Sequence, residues 1–287
     1  MTTEKPIAPA RLASTILLLR DGRDGLEVFM VVRHHEIDFA SGALVFPGGS
    51  VDKADRDPRV RTMTSRCEAF DDDDLAFRVA AIREAFEECG VLLARPRGSR
   101  DLVDAQRLKG LENAYRAPLE RGEVGIADML DREGLELACD LLVPYARWIT
   151  PVQLPKRFDT MFFLAKAPED HVAIHDGRES VDSVWISPDE ACRLADASER
   201  TVIFPTRLNL EKLSRTGRSV EAACTAASSA PVVTVMPRVE KVEGGRIMHI
   251  PIEAGYGESR FAIEGNPGAG SARRMQLAQP LGESNAG

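Results

Sequence analysis

The residues whose types and spacing could do chemistry run from Arg83 to Val91, Arg-Glu-Ala-Phe-Glu-Glu-Cys-Gly-Val. The pattern around them reads as the second half of a helix that starts near Asp74 or Leu75. At about 100° per residue, Glu87 lies roughly 60° to one side of Glu84 and Glu88 roughly 40° to the other. All three carboxylates then share one helix face. Like charges at these spacings repel one another. A hard divalent cation, which takes oxygen ligands, would remove that repulsion. Arg83, about 100° away on the same helix, could steady one of the carboxylates. Taken alone, the stretch also reads as a solvated acidic face. The upstream Phe46-Pro47-Gly48-Gly49 favours the cation reading. Gly90 sits where a left-handed residue ends a helix.

Several elements must position these groups. Leu75, Val79, Ile82 and Phe86 form an apolar stripe along the same helix. The run Asp71 to Asp74 precedes it, with the last aspartate as the expected cap. Ser50 to Asp74 is rich in Asp and Arg and reads as a solvated insertion. Before it, Ala13 to Arg20 and Leu26 to Arg33 are β-rich runs joined by Asp21-Gly22-Arg23-Asp24-Gly25, a hairpin signal. Leu26 to Arg33 is apolar on both faces, as a central strand would be. His34 to Ser41 is a loop whose adjacent histidines read as solvated. Gly42 to Gly49 is a short strand running into a turn. Its glycines let the backbone approach a neighbouring strand, or a phosphate and its metal.

Downstream, Asp101 to Tyr115 and Gly125 to Glu133 read as short helices, and Leu141 to Trp148 and Phe158 to Lys166 as strands. Between those strands lies a Pro-bounded loop ending in Lys156-Arg157. Val181 to Ile186 is a further strand. Ser187-Pro188 opens a helix, and Pro205 to Arg215 is the last one of the domain. The expected class is α+β, a layered domain over residues 13–215 after a loose start at 1–12. In the extension at 216–264, Val232 to Met236 and Arg246 to Ile250 could pair across Gly244-Gly245. Residues 265–287 have the composition of a disordered tail.

Composition excludes some functions. A chain of 287 residues with 44% hydrophobic and 29% charged residues is ordinary for a soluble globular protein. A net charge of -8 argues against nucleic acid as a main partner. It leaves room for a small phosphorylated substrate bridged by a cation. The five cysteines contain no CxxC pair and are odd in number, so reduced thiols are expected. The longest early apolar run, Ile16 to Leu19, is too short for a signal peptide or a membrane span. The final Ser-Asn-Ala-Gly is not a peroxisomal address. Cytoplasm is the expected compartment, with no membrane partner.

The helix and the glycine turn together resemble the Nudix box, G-x5-E-x7-R-E-U-x-E-E-x-G-U, where U is aliphatic. Gly49 stands at its first glycine, and Arg83, Glu84, Ala85, Glu87, Glu88, Gly90 and Val91 match its second half. Asp55 replaces the first glutamate. The spacer holds 27 residues, Arg56 to Ile82, where the box has seven, so about twenty are inserted. This interruption resembles the acyl-CoA diphosphatase branch of the family. So do Val45 to Asp52, Arg95-Pro96-Arg97, Trp148-Ile149-Thr150-Pro151, Arg157-Phe158-Asp159-Thr160 and Trp185-Ile186-Ser187-Pro188. Gly42 and Phe46-Pro47-Gly48-Gly49 also fit the signature of smaller CoA diphosphatases, but Asp38 stands where that signature has an arginine.

The resemblance implies a Nudix fold, a mixed β-sheet sandwiched between helices. It implies hydrolysis of the diphosphate of CoA or acyl-CoA with Mg²⁺ or Mn²⁺, giving 3′,5′-ADP and (acyl)phosphopantetheine. Glu84, Glu87 and Glu88 would hold the metal with the Gly48 carbonyl. Arg83 would orient a glutamate, with Asp55 as its partner. The general base is Glu84 or Glu179. Arg33, Lys156 and Arg157 are the basic residues placed to meet the adenosine 3′-phosphate, although Arg157 has a structural alternative. Two other readings stay open. One keeps the chemistry and changes the substrate to ADP-ribose, NADH or a nucleotide sugar. The other is a binding protein of Nudix fold without catalysis. The extension is left with covering a sheet edge, making a homodimer contact, or neither.

Overall fold

The computed structural model describes residues 7–33, 42–173, 175 and 180–264, with the side chains of Arg33, Ser180, Val181 and Glu264 excepted. The loop from His34 to Ser41, residues 1–6, Glu179 and the tail 265–287 lie outside the described residues.

β1 (Ala10–Gly22) and β2 (Gly25–Arg33) form the expected hairpin, with Leu19 opposite Val28 and Gly22 opposite Gly25. β3 (Leu44–Val45) adds to β2, and β4 (Gly48–Ser50) runs antiparallel to β1. A 3₁₀ turn at Ala54–Arg56 and α1 (Pro58–Thr62) lead to the long α2 (Asp72–Cys89). β5 (Ala94–Pro96), α3 (Ala105–Leu111), a π-helical turn (Glu112–Arg116), α4 (Ala117–Glu120), α5 (Ile126–Glu133) and β6 (Leu135–Leu137) follow. Next come β7 (Val143–Ile149), β8 (Arg157–Lys166), β9 (Ser180–Ile186), α6 (Pro188–Asp196), α7 (Phe204–Ser214) and α8 (Val220–Ser228). The described chain closes with β10 (Thr234–Val235), β11 (Arg238–Val242), β12 (Gly245–His249) and β13 (Arg260–Glu264).

One mixed sheet organises the molecule, in the order β10-β7-β8-β1-β2-β3, with β4 beside β1 and β9 beside β2. Side chains of a strand point alternately to its two faces. Ile16, Leu18, Phe29, Val31 and Phe163 therefore go to one side, where they pack on α2. Leu17, Leu19, Val28, Met30 and Leu164 go to the other, against α7, α8 and the β11-β12-β13 sheet. Both faces of β2 are covered, which is why it reads as a continuous apolar run.

Four expectations need correction. The start expected to be loose over 1–12 is already strand at Ala10, Arg11 and Leu12, which lie opposite Arg157, Phe158 and Asp159 of β8. Asp71, not Asp74, caps α2: its carboxylate accepts from the Asp74 N–H at 2.7 Å. The first aspartate of the run reaches forward over the first turn, and the next three then lie at the positive end of the helix. The insertion is not a solvated loop. Val60, Met63 and Cys67 join the core under α2, and Leu137 N–H donates to Met63 O at 2.9 Å. Its charges pair with one another at the surface, as Arg56 does with Asp73 and Arg61 with Asp72, both at 2.8 Å. Finally, β12 pairs with β11, while Val235 pairs with Trp148 on the edge of β7. Pro237 lacks an N–H and separates the two segments. The extension thus covers a sheet edge and also supplies Val220, Val235, Tyr256 and Phe261 to the second core. Among the described residues, no helix is long and apolar enough to cross a membrane.

Candidate active site

The glutamate helix ends as its sequence predicts. Gly90 adopts φ 69°, its N–H reaches Phe86 O at 3.0 Å, and the Val91 N–H reaches Ala85 O at 3.2 Å. A side chain would strain that conformation.

β4 brings the glycine turn against this helix. A Cβ on Gly48 would lie 2.7 Å from the Thr15 Cα, and one on Gly49 would lie 2.6 Å from the Glu84 carboxyl carbon. Bare backbone is therefore the floor on which Glu84 rests. The Gly48 N–H donates to Glu88 Oε2 at 3.0 Å. Residues 48 and 49 thus touch two of the three glutamates.

Arg83 binds the cluster together. Its guanidinium is buried and donates to Asp55 through Nε at 2.8 Å and Nη2 at 3.0 Å. It also reaches Glu84 Oε1 at 2.9 Å, Glu87 Oε2 at 3.0 Å and Ser50 O at 2.9 Å. Asp55 is enclosed and accepts a further bond from the Asp52 N–H at 2.8 Å. Charges out of water are tolerated only when paired and hydrogen-bonded in this way. The residue that replaces the first box glutamate thus stands beside the box arginine, although the spacer is about twenty residues too long. The insertion loops out after Asp55 and returns at α2.

The charges shift one another. Burial pulls the Arg83 pKa down, but hydrogen bonds to Asp55 and the charges of Glu84, Asp55 and Glu87 outweigh it and hold it above its usual range. Burial pushes the Glu87 carboxyl up, to about 8; Arg83 opposes this, while Glu84 and Asp55 add to it. Glu87 Oε1 is buried with no hydrogen-bond partner among the described residues. Such an orphan is costly. An unsatisfied carboxylate oxygen, with two more carboxylates on the same helix face, suits a hard divalent cation, so the residues fit one. Among the described residues, no group of three acidic, Cys or His side chains is already arranged around an ion position. The glutamates are instead turned toward Arg83 and the Gly48 N–H.

The expected substrate-binding residues fare differently. Arg157 is buried and donates to Thr150 O at 3.0 Å and Ala8 O at 2.7 Å. It fastens the start of β8 to neighbouring backbone, so the structural alternative is the one seen. Asp159 pairs with Arg147 instead, at 2.8 and 2.7 Å. Lys156 is exposed, with its ammonium 5.9 Å from the Phe158 ring centroid. The Arg33 side chain and Glu179 lie outside the described residues. The sequence reading missed Arg116, whose Nε donates to Glu87 O at 2.8 Å. No fixed spacing announces it, since it arrives from a different helix.

Comparison with known proteins bears on this geometry. A family model described as the NUDT19 Nudix domain matches residues 59–213. The human acyl-coenzyme A diphosphatase NUDT19 is 31% identical over 215 residues, covering 58% of this chain and 55% of that protein. A Caenorhabditis elegans protein called putative nudix hydrolase 7 is 28% identical over 207 residues, covering 71% and 60%. The chain thus spans little more than half the length of these relatives. The crystal structure of a NUDIX hydrolase from Alicyclobacillus acidocaldarius superimposes with a TM-score of 0.65 at 28% identity, over 79% of this chain and 100% of that one. The mixed sheet between helices is therefore a Nudix fold.

Proposed function

Because the chain belongs to the Nudix family described as the NUDT19 Nudix domain, we propose that it is a divalent-cation-dependent CoA or acyl-CoA diphosphatase. It cleaves the diphosphate by water, leaving 3′,5′-ADP and (acyl)phosphopantetheine. The observation that carries this is the buried Arg83, bonded at 2.8–3.0 Å to Asp55, Glu84 and Glu87 beside Glu87 Oε1, which has no hydrogen-bond partner among the described residues. The names of the relatives support the CoA substrate class.

Glu84, Glu87 and Glu88, with the Gly48 carbonyl, would hold Mg²⁺ or Mn²⁺. When bound, such an ion supplies positive charge against the diphosphate and lowers the pKa of water. Arg83 keeps Glu84 and Glu87 aligned, and Asp55 keeps Arg83 in place. Glu84 or Glu179 takes the proton of the attacking water. Lys156, on the exposed loop that Arg157 fastens, and Arg33 receive the 3′-phosphate of the adenosine. The substrate is thus a small diphosphate, with no nucleic acid or membrane partner, in a cytoplasmic setting. A homodimer is compatible with this reading.

The test is a substrate panel with Mg²⁺ and then Mn²⁺, resolved by chromatography: CoA, acetyl-CoA, a long-chain acyl-CoA, 3′-dephospho-CoA, ADP-ribose and NADH. The expected result is 3′,5′-ADP from the CoA compounds, lost in Glu88→Gln. Cleavage of ADP-ribose or NADH with CoA untouched would remove the CoA assignment and keep the chemistry. No cation-dependent cleavage by the folded protein would leave a binding role. The pH–rate profiles of Glu84→Gln and Glu179→Gln identify the base.

A further inference from the structure

The segment from Ala105 to Glu120 is helical throughout but widens over Glu112–Arg116 into a π-helical turn. The sequence supplies a cause. Pro118 has no N–H to donate, and in a regular helix its ring would press on the carbonyl of Ala114. A wider preceding turn absorbs that conflict. It also carries Glu112 and Arg116 to the end of α2. The space beside Gly90 is filled by the Glu112 carboxyl, and a Cβ there would lie 3.4 Å from Arg116 Nη1.

Arg116 satisfies one carbonyl at the end of the glutamate helix. The last four carbonyls of any helix lack partners within it. Here Ala85 O accepts from Val91 and Phe86 O from Gly90. Glu87 O accepts from Arg116 Nε at 2.8 Å. A cation at this end also suits the helix dipole. Glu112 lies 3.7 Å from Arg116 Nη1 and balances much of its charge locally. The hydrogen bond, rather than a long-range field, is then the main effect of Arg116 on the turn that bears Glu87 and Glu88.

We propose that Arg116 is a positioning residue for the divalent-cation site, fixing the last turn of α2 through the Glu87 carbonyl. This rests on the reading of Glu84, Glu87 and Glu88 as cation ligands. Arg83 restrains Glu87 by its side chain, and Arg116 restrains it by its main chain. Groups that orient ligands in this way commonly set metal affinity by about 10–100-fold.

The test is Mn²⁺ binding to the full chain, read by the electron paramagnetic resonance signal of free Mn²⁺ and by calorimetry. The proteins are wild type, Arg116→Gln, Arg116→Lys and Glu88→Gln, each checked by circular dichroism. Arg116→Gln should weaken Mn²⁺ binding by about tenfold with its fold intact. Arg116→Lys should fall between it and the wild type. At saturating Mn²⁺ the KM for CoA should be unchanged. Wild-type affinity in Arg116→Gln, with binding lost in Glu88→Gln, would overturn the role of Arg116 and leave the cation site standing. Unaltered binding in Glu88→Gln as well would overturn the site itself. If Arg116→Gln does not fold while Arg116→Lys binds as wild type, Arg116 acts on folding alone and the proposal fails.

Discussion

The segment inserted after Asp55 and the extension after α7 both lengthen the chain, yet they bear on opposite faces of the sheet. The insertion packs Val60, Met63 and Cys67 into the core beneath α2, and the residue that precedes it holds Arg83. The extension packs on the far side through a polar knot. Tyr256 OH accepts from Trp148 Nε1 and donates to Asn209 Oδ1, both at 2.8 Å. Lys212 Nζ donates to Ala254 O at 3.2 Å and to Tyr145 O at 3.3 Å. The rings of Trp148, Phe204 and Phe261 stack edge to face beside it. The first addition is continuous with the chemistry, and the second supports the sheet from behind. Changes in the two regions should therefore separate activity from stability.

The largest effect should come at the root of the insertion. Asp55→Ala leaves Arg83 buried with part of its compensation gone, a loss of about 3–5 kcal/mol in urea unfolding. Hydrolysis should fall about 100-fold, because Glu84 and Glu87 lose their anchor. A stable, fully active Asp55→Ala protein would break the comparison. Behind the sheet, Tyr256→Phe strands the Trp148 indole N–H and the Asn209 Oδ1. It should cost about 1–3 kcal/mol of stability with kcat/KM unaltered. A parallel loss of activity would mean that the extension reaches the site.

Glu87 sharpens the contrast through pH. Its folded pKa is raised to about 8, so the folded state holds this proton more tightly than the unfolded chain does. Its contribution to stability is therefore fullest below the ordinary carboxyl value and is lost as pH climbs toward 8. Without divalent cation, Glu87→Gln should melt about 2–4 °C above wild type at pH 8.5 and show little advantage at pH 5. Mn²⁺ should raise the melting point of the wild type and leave that of the variant nearly unmoved. The smallest effect belongs to Arg59, which bridges the insertion to Asp128 at 2.9 Å while half exposed. Arg59→Ala should change neither melting point nor rate beyond experimental scatter.

Legibility in the sequence followed the range of the interaction. The β1–β2 hairpin, the end of α2 at Gly90 and the face shared by Glu84, Glu87 and Glu88 are set by neighbours within a turn, and periodicity reveals them. Asp55 was legible through the box pattern, but its contact with Arg83 depends on how the insertion folds. Arg157 illustrates the opposite case. Its backbone partners are Thr150 and Ala8, and the latter, just ahead of β1, is brought near by the parallel pairing of β1 with β8. A basic residue at a loop end looks like a ligand group until that pairing is known. Arg116 is similar, since its partner lies 29 positions away in the sequence. The runs that hold β10 and β12 are legible as strands, but their partners are not, and β11 and β13 carry no signal of their own, because two to five residues show too little alternation to fix a partner.

β1 has one consequence for how the molecule is made. One of its edges receives β4 through Ala13 to Thr15, while the other pairs with β8, from Ala10 opposite Arg157 to Leu19 opposite Lys166. During synthesis the ribosome must deliver more than a hundred further residues before that second edge can close. Contacts so distant along the chain form slowly, and an open strand edge is adhesive meanwhile. The floor beneath Glu84 therefore rests on a strand that waits, half paired, for most of the domain to emerge.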